Sequence, residues 1–302
     1  MKRKMPYVGL ALLLTALLAE GAARALGMVD FPVYEANNVI GYIPAANQAG
    51  LFLNKNDWQF NSLHMGARKF EPSEKPDWLL VGDSIVFGGN SYAGHERLGP
   101  SLEASLSGSI SVWPISAGSW ALRNELIWIR QHPEVLEKID QVVFVLNSAD
   151  FGKASAWSCE LTHPRQRPLS ALWYLANKYV HAVTPCGEVP SALLVPHGDL
   201  QTELAAYLEE HREKTLFVLY PDKQELHDLD RFEQAFATGR ELLISTGARV
   251  LQVTGHPAWQ TNLYRDGIHP TPEGNRVLAS ILAEMVSNET APTTRMSGNK
   301  AQ

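Results

Sequence analysis

Ser84 sits at the end of an apolar run, in the segment Leu79-Leu80-Val81-Gly82-Asp83-Ser84-Ile85-Val86-Phe87-Gly88-Gly89. A strand running straight into a Gly-Asp-Ser turn would set the serine hydroxyl at the carboxyl edge of a sheet. A helix N-terminus there would offer backbone N–H groups to an oxyanion. A serine hydroxyl is weak at neutral pH and needs a base within hydrogen-bond reach, usually a histidine oriented by a carboxylate. Near the other end of the chain, Tyr264-Arg265-Asp266-Gly267-Ile268-His269-Pro270-Thr271 supplies both. Asp266 and His269 are three apart on a tight loop, so the carboxylate can hold one imidazole nitrogen while the other points away. In this reading Ser84 is the nucleophile, His269 takes and returns its proton, and Asp266 fixes the tautomer. Either motif alone also reads as an ordinary turn. Their specificity lies in the combination.

The elements that must position these residues follow from the apolar pattern. Five short runs rich in Val and Leu predict strands: Trp78–Val81, Ile110–Ile115, Val142–Leu146, Leu216–Tyr220 and Val250–Val253. Runs apolar on both faces fit buried parallel strands. Amphipathic stretches between them predict helices over Leu98–Leu106, Ala121–Ile139, Leu200–Arg212 and Asp228–Thr246. A last helix is predicted over Pro272–Val286, with Thr271 as its cap and Pro272 in its first turn. Alternating strands and helices predict an α/β fold, a three-layer α/β/α sandwich around a central parallel sheet of about five strands. Function in such sheets gathers at the carboxyl ends of the strands.

On Gly82-Asp83-Ser84 and Asp266-x-x-His269 the chain resembles the SGNH/GDSL hydrolase superfamily, over roughly residues 78–290. The resemblance implies a flavodoxin-like sandwich and ester hydrolysis or acyl transfer through a serine acyl-enzyme. It also implies an oxyanion hole made by the N–H of Ser84, the N–H of Gly118, and an asparagine side chain after the third strand. The family pattern at that third place is Gly-x-Asn-Asp, whereas the chain reads Leu146-Asn147-Ser148-Ala149-Asp150. Strict register puts Ala149 where the asparagine belongs. Asn147 is then either a donor reaching in from two residues earlier or a turn residue satisfying its own loop.

Trp120, His256 and Trp259 stand at predicted loop positions and are candidates for lining a substrate site, where tryptophan faces can stack on a sugar. Burial in the core is the competing reading of both tryptophans. No His-Glu-x-x-His, Cys-x-x-Cys or Walker-type spacing occurs, so neither a metal nor any other cofactor is expected.

Lys2, Arg3 and Lys4 precede an apolar run from Met5 to Ala19, and Ala23-Arg24-Ala25 offers small residues of the kind a signal peptidase reads. Residues 1–27 are expected to be either a cleaved export signal or an uncleaved anchor in the inner membrane. The rest would then be periplasmic or secreted. In an oxidising compartment Cys159 and Cys186 are a candidate disulfide, against the alternative of two unrelated thiols. Residues 28–77, rich in Asn, Gly and Pro, are expected to form an irregular extension with short strands. Residues 78–290 are expected to form the catalytic domain, and 291–302 a disordered polar tail.

With 302 residues, 45% hydrophobic and a net charge of −6, the chain has globular composition and lacks the basic footprint of a nucleic-acid binder. Beyond residue 25 the remaining 22 basic and 31 acidic side chains leave −9. The expected partner is an ester substrate, including acylated carbohydrate of an envelope or secreted polysaccharide. Hydrolysis and transfer share one acyl-enzyme, and residue types do not separate them. Longer acyl chains, as for a lipase or thioesterase, are an alternative. So is a non-catalytic carbohydrate-binding or scaffolding protein that keeps the fold with an impaired site.

Overall fold

The computed structural model describes residues 5–180 and 186–290; the expected tail, 291–302, lies outside them. The chain begins with helix α1 (Met5–Ala25), followed by two antiparallel hairpins, β1 (Tyr34–Asn37) with β2 (Gly41–Pro44) and β3 (Gln48–Phe52) with β4 (Asn56–Phe60). The extension, expected to be irregular with short strands, carries these two short hairpins between irregular stretches. In β4 alternate residues are buried, and Trp58 and Phe60 join Tyr34, Tyr42 and Ile43 in the main hydrophobic cluster. That alternation is what drives four- and five-residue segments to pair, since one face gains burial only when the register is fixed.

The second part of the chain alternates as predicted. In order come β5 (Asp77–Gly82), α2 (Ser84–Phe87), α3 (Leu98–Ser105), β6 (Ser111–Ser116), α4 (Leu122–Gln131), α5 (Pro133–Leu136) and β7 (Gln141–Leu146). These are followed by α6 (Ala171–Tyr179), α7 (Leu200–His211), β8 (Thr215–Leu219), α8 (Lys223–His227), α9 (Leu229–Ser245), β9 (Val250–Gln252) and α10 (Pro272–Thr290). The helix expected over Ala121–Ile139 is two helices. Pro133 has no N–H to continue the first and instead opens the second.

The sheet is all parallel in the order β6-β5-β7-β8-β9. Leu79, Val81, Phe144 and Phe217 face one helical layer, with Leu126 of α4, Leu204 of α7 and Phe232 of α9. The intervening Leu80, Val143 and Val218 face the other, with Leu102 of α3 and Leu282 of α10. Strands apolar on both faces are thus explained by two cores, one on each side of the sheet. This is the expected three-layer α/β/α sandwich.

The chain leaves β5 toward β6 on one side and returns to β7 on the other, which makes the carboxyl end of β5 the switch point where such sheets bind ligands. Gly82, the last residue of β5, lies opposite Ser116 of β6 and Val145 of β7. Ser84, Gly118 and Asn147 are each two residues past that register, and so leave the sheet at one place. Between β7 and α7 lies a long insertion that carries α6 and is closed by the disulfide Cys159–Cys186, as expected.

Candidate active site

A side chain at Gly82 would stand 2.6 Å from Val86 Cγ2 and 3.0 Å from the Val145 carbonyl, so glycine lets α2 fold back tightly on the sheet. Asp83 caps that one-turn helix by accepting from the Ile85 N–H at 2.9 Å, and Gly88 ends it in the left-handed region at φ 73°. The turn leaves the Ser84 hydroxyl partly exposed above a buried floor, and its N–H, at the first helical position, has no intrahelical acceptor.

The loop before α10 brings His269 to it. Tyr220 donates its hydroxyl to the Ile268 carbonyl at 2.7 Å, Lys223 N–H donates to Gly267 at 2.8 Å, and Arg265 N–H donates to the His269 carbonyl at 2.8 Å. Tyr92 also donates to the Pro270 carbonyl. Thr271 caps α10 by accepting from Gly274 N–H at 2.9 Å, as its place before Pro272 predicted. His269 Nε2 lies 3.0 Å from Ser84 Oγ, and its Nδ1 lies 2.9 Å from Asp266 Oδ2. The residues paired from the two ends of the sequence are therefore in hydrogen-bond contact. Partial burial disfavours ionisation of Asp266, but the N–H groups of Ile268 and His269 and the His269 ring outweigh it and hold the carboxyl well below the ordinary carboxylate range. A hydroxyl–imidazole–carboxylate chain of this geometry can move a proton off the serine as the oxygen attacks an acyl carbon.

Gly118 is placed beside this chain by the extension. Tyr42 of β2 donates its hydroxyl to the Gly118 carbonyl at 2.6 Å, and Trp120 Nε1 donates to the Tyr42 carbonyl at 2.7 Å. Asn124 Nδ2 donates to the carbonyls of Ile40 and Ser155, at 2.8 and 2.9 Å, tying extension, loop and insertion together. Ser119, next to Gly118, is held at φ 61°, a conformation costly for a side-chain-bearing residue.

Asn147 does not serve the position considered for it. Its amide Nδ2 donates to Asp83 Oδ2 and Asp150 Oδ1, both at 3.1 Å, and its Oδ1 accepts from Ala149 N–H at 2.8 Å. Both amide hydrogens are consumed below the serine, and the competing reading of a residue that satisfies its own loop is the correct one. Two tryptophan candidates are also corrected. Trp120 and Trp259 are buried, with their indole N–H groups donating to the Tyr42 carbonyl and the Tyr264 hydroxyl, and present no face for stacking. His256 accepts from Ala258 N–H and lies 3.5 Å from Glu284 of α10, in contact with neither Ser84 nor His269.

Under the serine lies a group of carboxyls that the sequence did not disclose. Asp83, Glu125 and Asp150 are all buried, and among the described residues neither oxygen of Glu125 meets a donor. Burial raises all three carboxyls, with the Asp83 charge adding to the effect at Glu125 and at Asp150. For an acid raised in the folded state, stability is greatest below the unfolded value near 4.3 and falls as pH climbs toward the folded value. Glu125→Gln, which removes the titration without changing shape, is therefore expected to raise the melting temperature at pH 7 by a few degrees, at about 2–4 °C per kcal/mol. The gain should shrink toward pH 4. Thermal melts across that pH range check it; an unchanged or lower melting temperature at pH 7 contradicts the buried protonated state.

Fold and site together define a doubly wound α/β protein with a serine–histidine–aspartate chain at its switch point. No protein-family model and no curated protein matches the sequence. Among solved structures, the chain is similar to an alpha/beta hydrolase enzyme from the metagenome of Lake Arreo, Spain, at 15% identity and TM-score 0.41, covering 69% of this chain and 94% of that one. It is similar to the psychrotrophic esterase EstA from Pseudoalteromonas sp. at 14% identity and TM-score 0.39, covering 71% and 98%. A carbohydrate acetylesterase family member from Sinorhizobium meliloti is 18% identical, with TM-score 0.35 and coverage of 71% and 98%. Likeness at this level assigns no residue a role and no substrate.

Proposed function

We propose that the protein is a serine ester hydrolase or O-acyltransferase of the SGNH/GDSL type, with residues 78–290 as its catalytic unit. The observation that carries the reading is the 3.0 Å contact between Ser84 Oγ and His269 Nε2, with Asp266 on the far side of the ring. Ser84 Oγ attacks the acyl carbon while His269 Nε2 takes its proton, giving a tetrahedral oxyanion between the N–H groups of Ser84 and Gly118. The bond to the leaving oxygen then breaks as His269 returns the proton to it. Water or a sugar hydroxyl attacks the acyl-enzyme next, with His269 again as base, which yields hydrolysis or transfer.

The Asn147 amide is not free to act as a third oxyanion donor, and a missing donor costs about 2.7–4 kcal/mol of transition-state stabilisation. The enzyme is accordingly expected to be slow on simple esters, and acetyl groups on a polysaccharide are the favoured substrate class. The same observation favours one second reading, a non-catalytic carbohydrate-binding protein. Turnover of p-nitrophenyl acetate by the full chain separates the two. The catalytic reading expects hydrolysis that disappears in Ser84→Ala; equal rates for wild type and variant sink it.

Tyr42 is a positioning residue in this reading, since its hydroxyl donates to the Gly118 carbonyl, with the His163 ring as a second hydrogen-bond partner of that backbone. Tyr42→Phe is expected to lower kcat about tenfold, equivalent to about 1.4 kcal/mol, with KM little changed. An unchanged kcat would remove Gly118 from the oxyanion site.

The same reading keeps α1 attached as an anchor. Among the described residues it is the one helix long and apolar enough to cross a membrane, and it is almost wholly exposed. Ala23 is buried against Val29, Phe31, Ala171 and Tyr174, so cleavage after Ala25 would take part of the folded body away. The body is then periplasmic, held at the outer face of the inner membrane.

A further inference from the structure

The end of α1 is joined to α6 of the disulfide-closed insertion in an unusual way. Glu20 of α1 joins Ser170 in capping α6: Ser170 Oγ accepts from Trp173 N–H at 3.2 Å, while the Glu20 carboxylate accepts from the N–H groups of Ala171 and Leu172 at 2.8 and 3.0 Å and from Ser170 Oγ at 3.1 Å. Arg24 donates to the carbonyls of Pro168 and Leu169 at 3.1 and 2.8 Å. Two of the first-turn donors that every helix leaves open are here closed by a residue some 150 positions away. One face of α6, with Ala171 and Tyr174, is buried against Ala23 and Phe31.

The other face is apolar and bare. Trp173, Ala176 and Val180 follow the spacing of one helical stripe, Leu169 stands exposed just before the helix, and Trp173 is 68% exposed. The other seven tryptophans of the chain are all 9% exposed or less, so Trp173 is the exception that needs an occupant. Tyr179 flanks the stripe and is also exposed.

The position of α1 supplies the occupant. Its uninterrupted apolar run, Met5–Ala19, ends next to Glu20, the residue on which α6 docks, so α6 stands where the apolar part of α1 stops. The element at that boundary is α6, docked against Glu20 and Arg24. A short helix with one apolar stripe and an exposed tryptophan is the form that lies in the interfacial plane.

We propose that the Trp173–Val180 face of α6, with Leu169 just before the helix, rests in the interface of the bilayer that α1 enters, giving the catalytic domain a second membrane contact beside its anchor. The proposal rests on the anchor reading of α1. The nearby basic side chains Arg24, Arg165 and Arg167 are each paired with an acid, so the contact is apolar and does not call for anionic lipid.

Tryptophan fluorescence of the full chain in phosphatidylcholine vesicles, with lipid brominated near the headgroup as quencher, reads this contact because only Trp173 is exposed. The expected result is quenching by brominated lipid that is mostly lost in Trp173→Phe, with little quenching by aqueous acrylamide. Ready quenching by acrylamide and none by lipid places the face in water and overturns the proposal. Shielding from both quenchers assigns the face to a protein partner or a second copy and overturns it equally. In those two outcomes a chain that stays with the vesicles leaves the anchor reading standing. A chain recovered from cells with Leu26 as its first residue defeats the anchor reading and the proposal together.

Discussion

Ser84→Ala and His269→Ala are each expected to depress p-nitrophenyl acetate turnover by about 10⁴- to 10⁶-fold, and the double variant to be scarcely worse than either alone. The reason is geometric. Ser84 Oγ is 3.0 Å from His269 Nε2 and 3.2 Å from Asp83 Oδ2, and of the two it is the imidazole that can carry the proton on to a leaving group, so the oxygen without the imidazole is close to an ordinary alcohol and the imidazole without the oxygen has nothing to activate. A residue that acted independently of the serine would give additive losses. Kinetics of the two single variants and the double variant decide it. A double variant slowed by about the product of the two single losses would show that His269 works outside the Ser84 pair.

Asp266→Asn is expected to cost about 10⁴-fold in kcat while leaving the fold intact. The carboxylate accepts from both His269 Nδ1 and the N–H groups of Ile268 and His269. An asparagine can turn its amide donor toward Nδ1, which puts the ring proton on Nε2 and leaves nothing to receive the proton of Ser84. The low carboxyl of Asp266 carries a pH consequence as well. Its folded value is depressed, so its contribution to stability is present above the ordinary value near 3.9 and is lost as pH falls through the folded value. Across neutral pH Asp266 stays ionised, and activity changes there do not originate in it. A loss under tenfold for Asp266→Asn, with the melting temperature unchanged, would remove Asp266 from the proton path.

The parts of this site that were legible in the sequence are those fixed by local chain chemistry. The five apolar runs became the five parallel strands because segments buried on both faces have no polar alternation to confuse them. Thr271 and Pro272 marked the start of α10, and with it the loop that carries His269. The disulfide followed from its two cysteines being the only ones in the chain.

What escaped depended on tertiary packing. Asn147 stands where an oxyanion donor was considered, but its amide is claimed by Asp83 and Asp150, whose residue types are visible in the motifs while their convergence beneath Ser84 is set by tertiary packing. Glu125 looks like an exposed charge on an amphipathic helix, yet α4 is buried on that side because the extension and insertion cover it. Trp120 and Trp259 stand at loop positions and still fill the core, since a loop pinned by its own indole N–H is as buried as a strand. One error left a visible signal: the His132-Pro133 step marks a helix end inside the stretch expected as a single helix.

The central claim, that Ser84 is an activated nucleophile, is tested most directly by treating the full chain with a fluorophosphonate probe and locating the adduct by peptide mass spectrometry. The account predicts one phosphonyl group per chain, carried by Ser84, with labelling absent in Ser84→Ala and strongly slowed in His269→Ala. A wild-type chain that resists the probe, or an adduct on another residue, would contradict it and give the site to binding rather than catalysis.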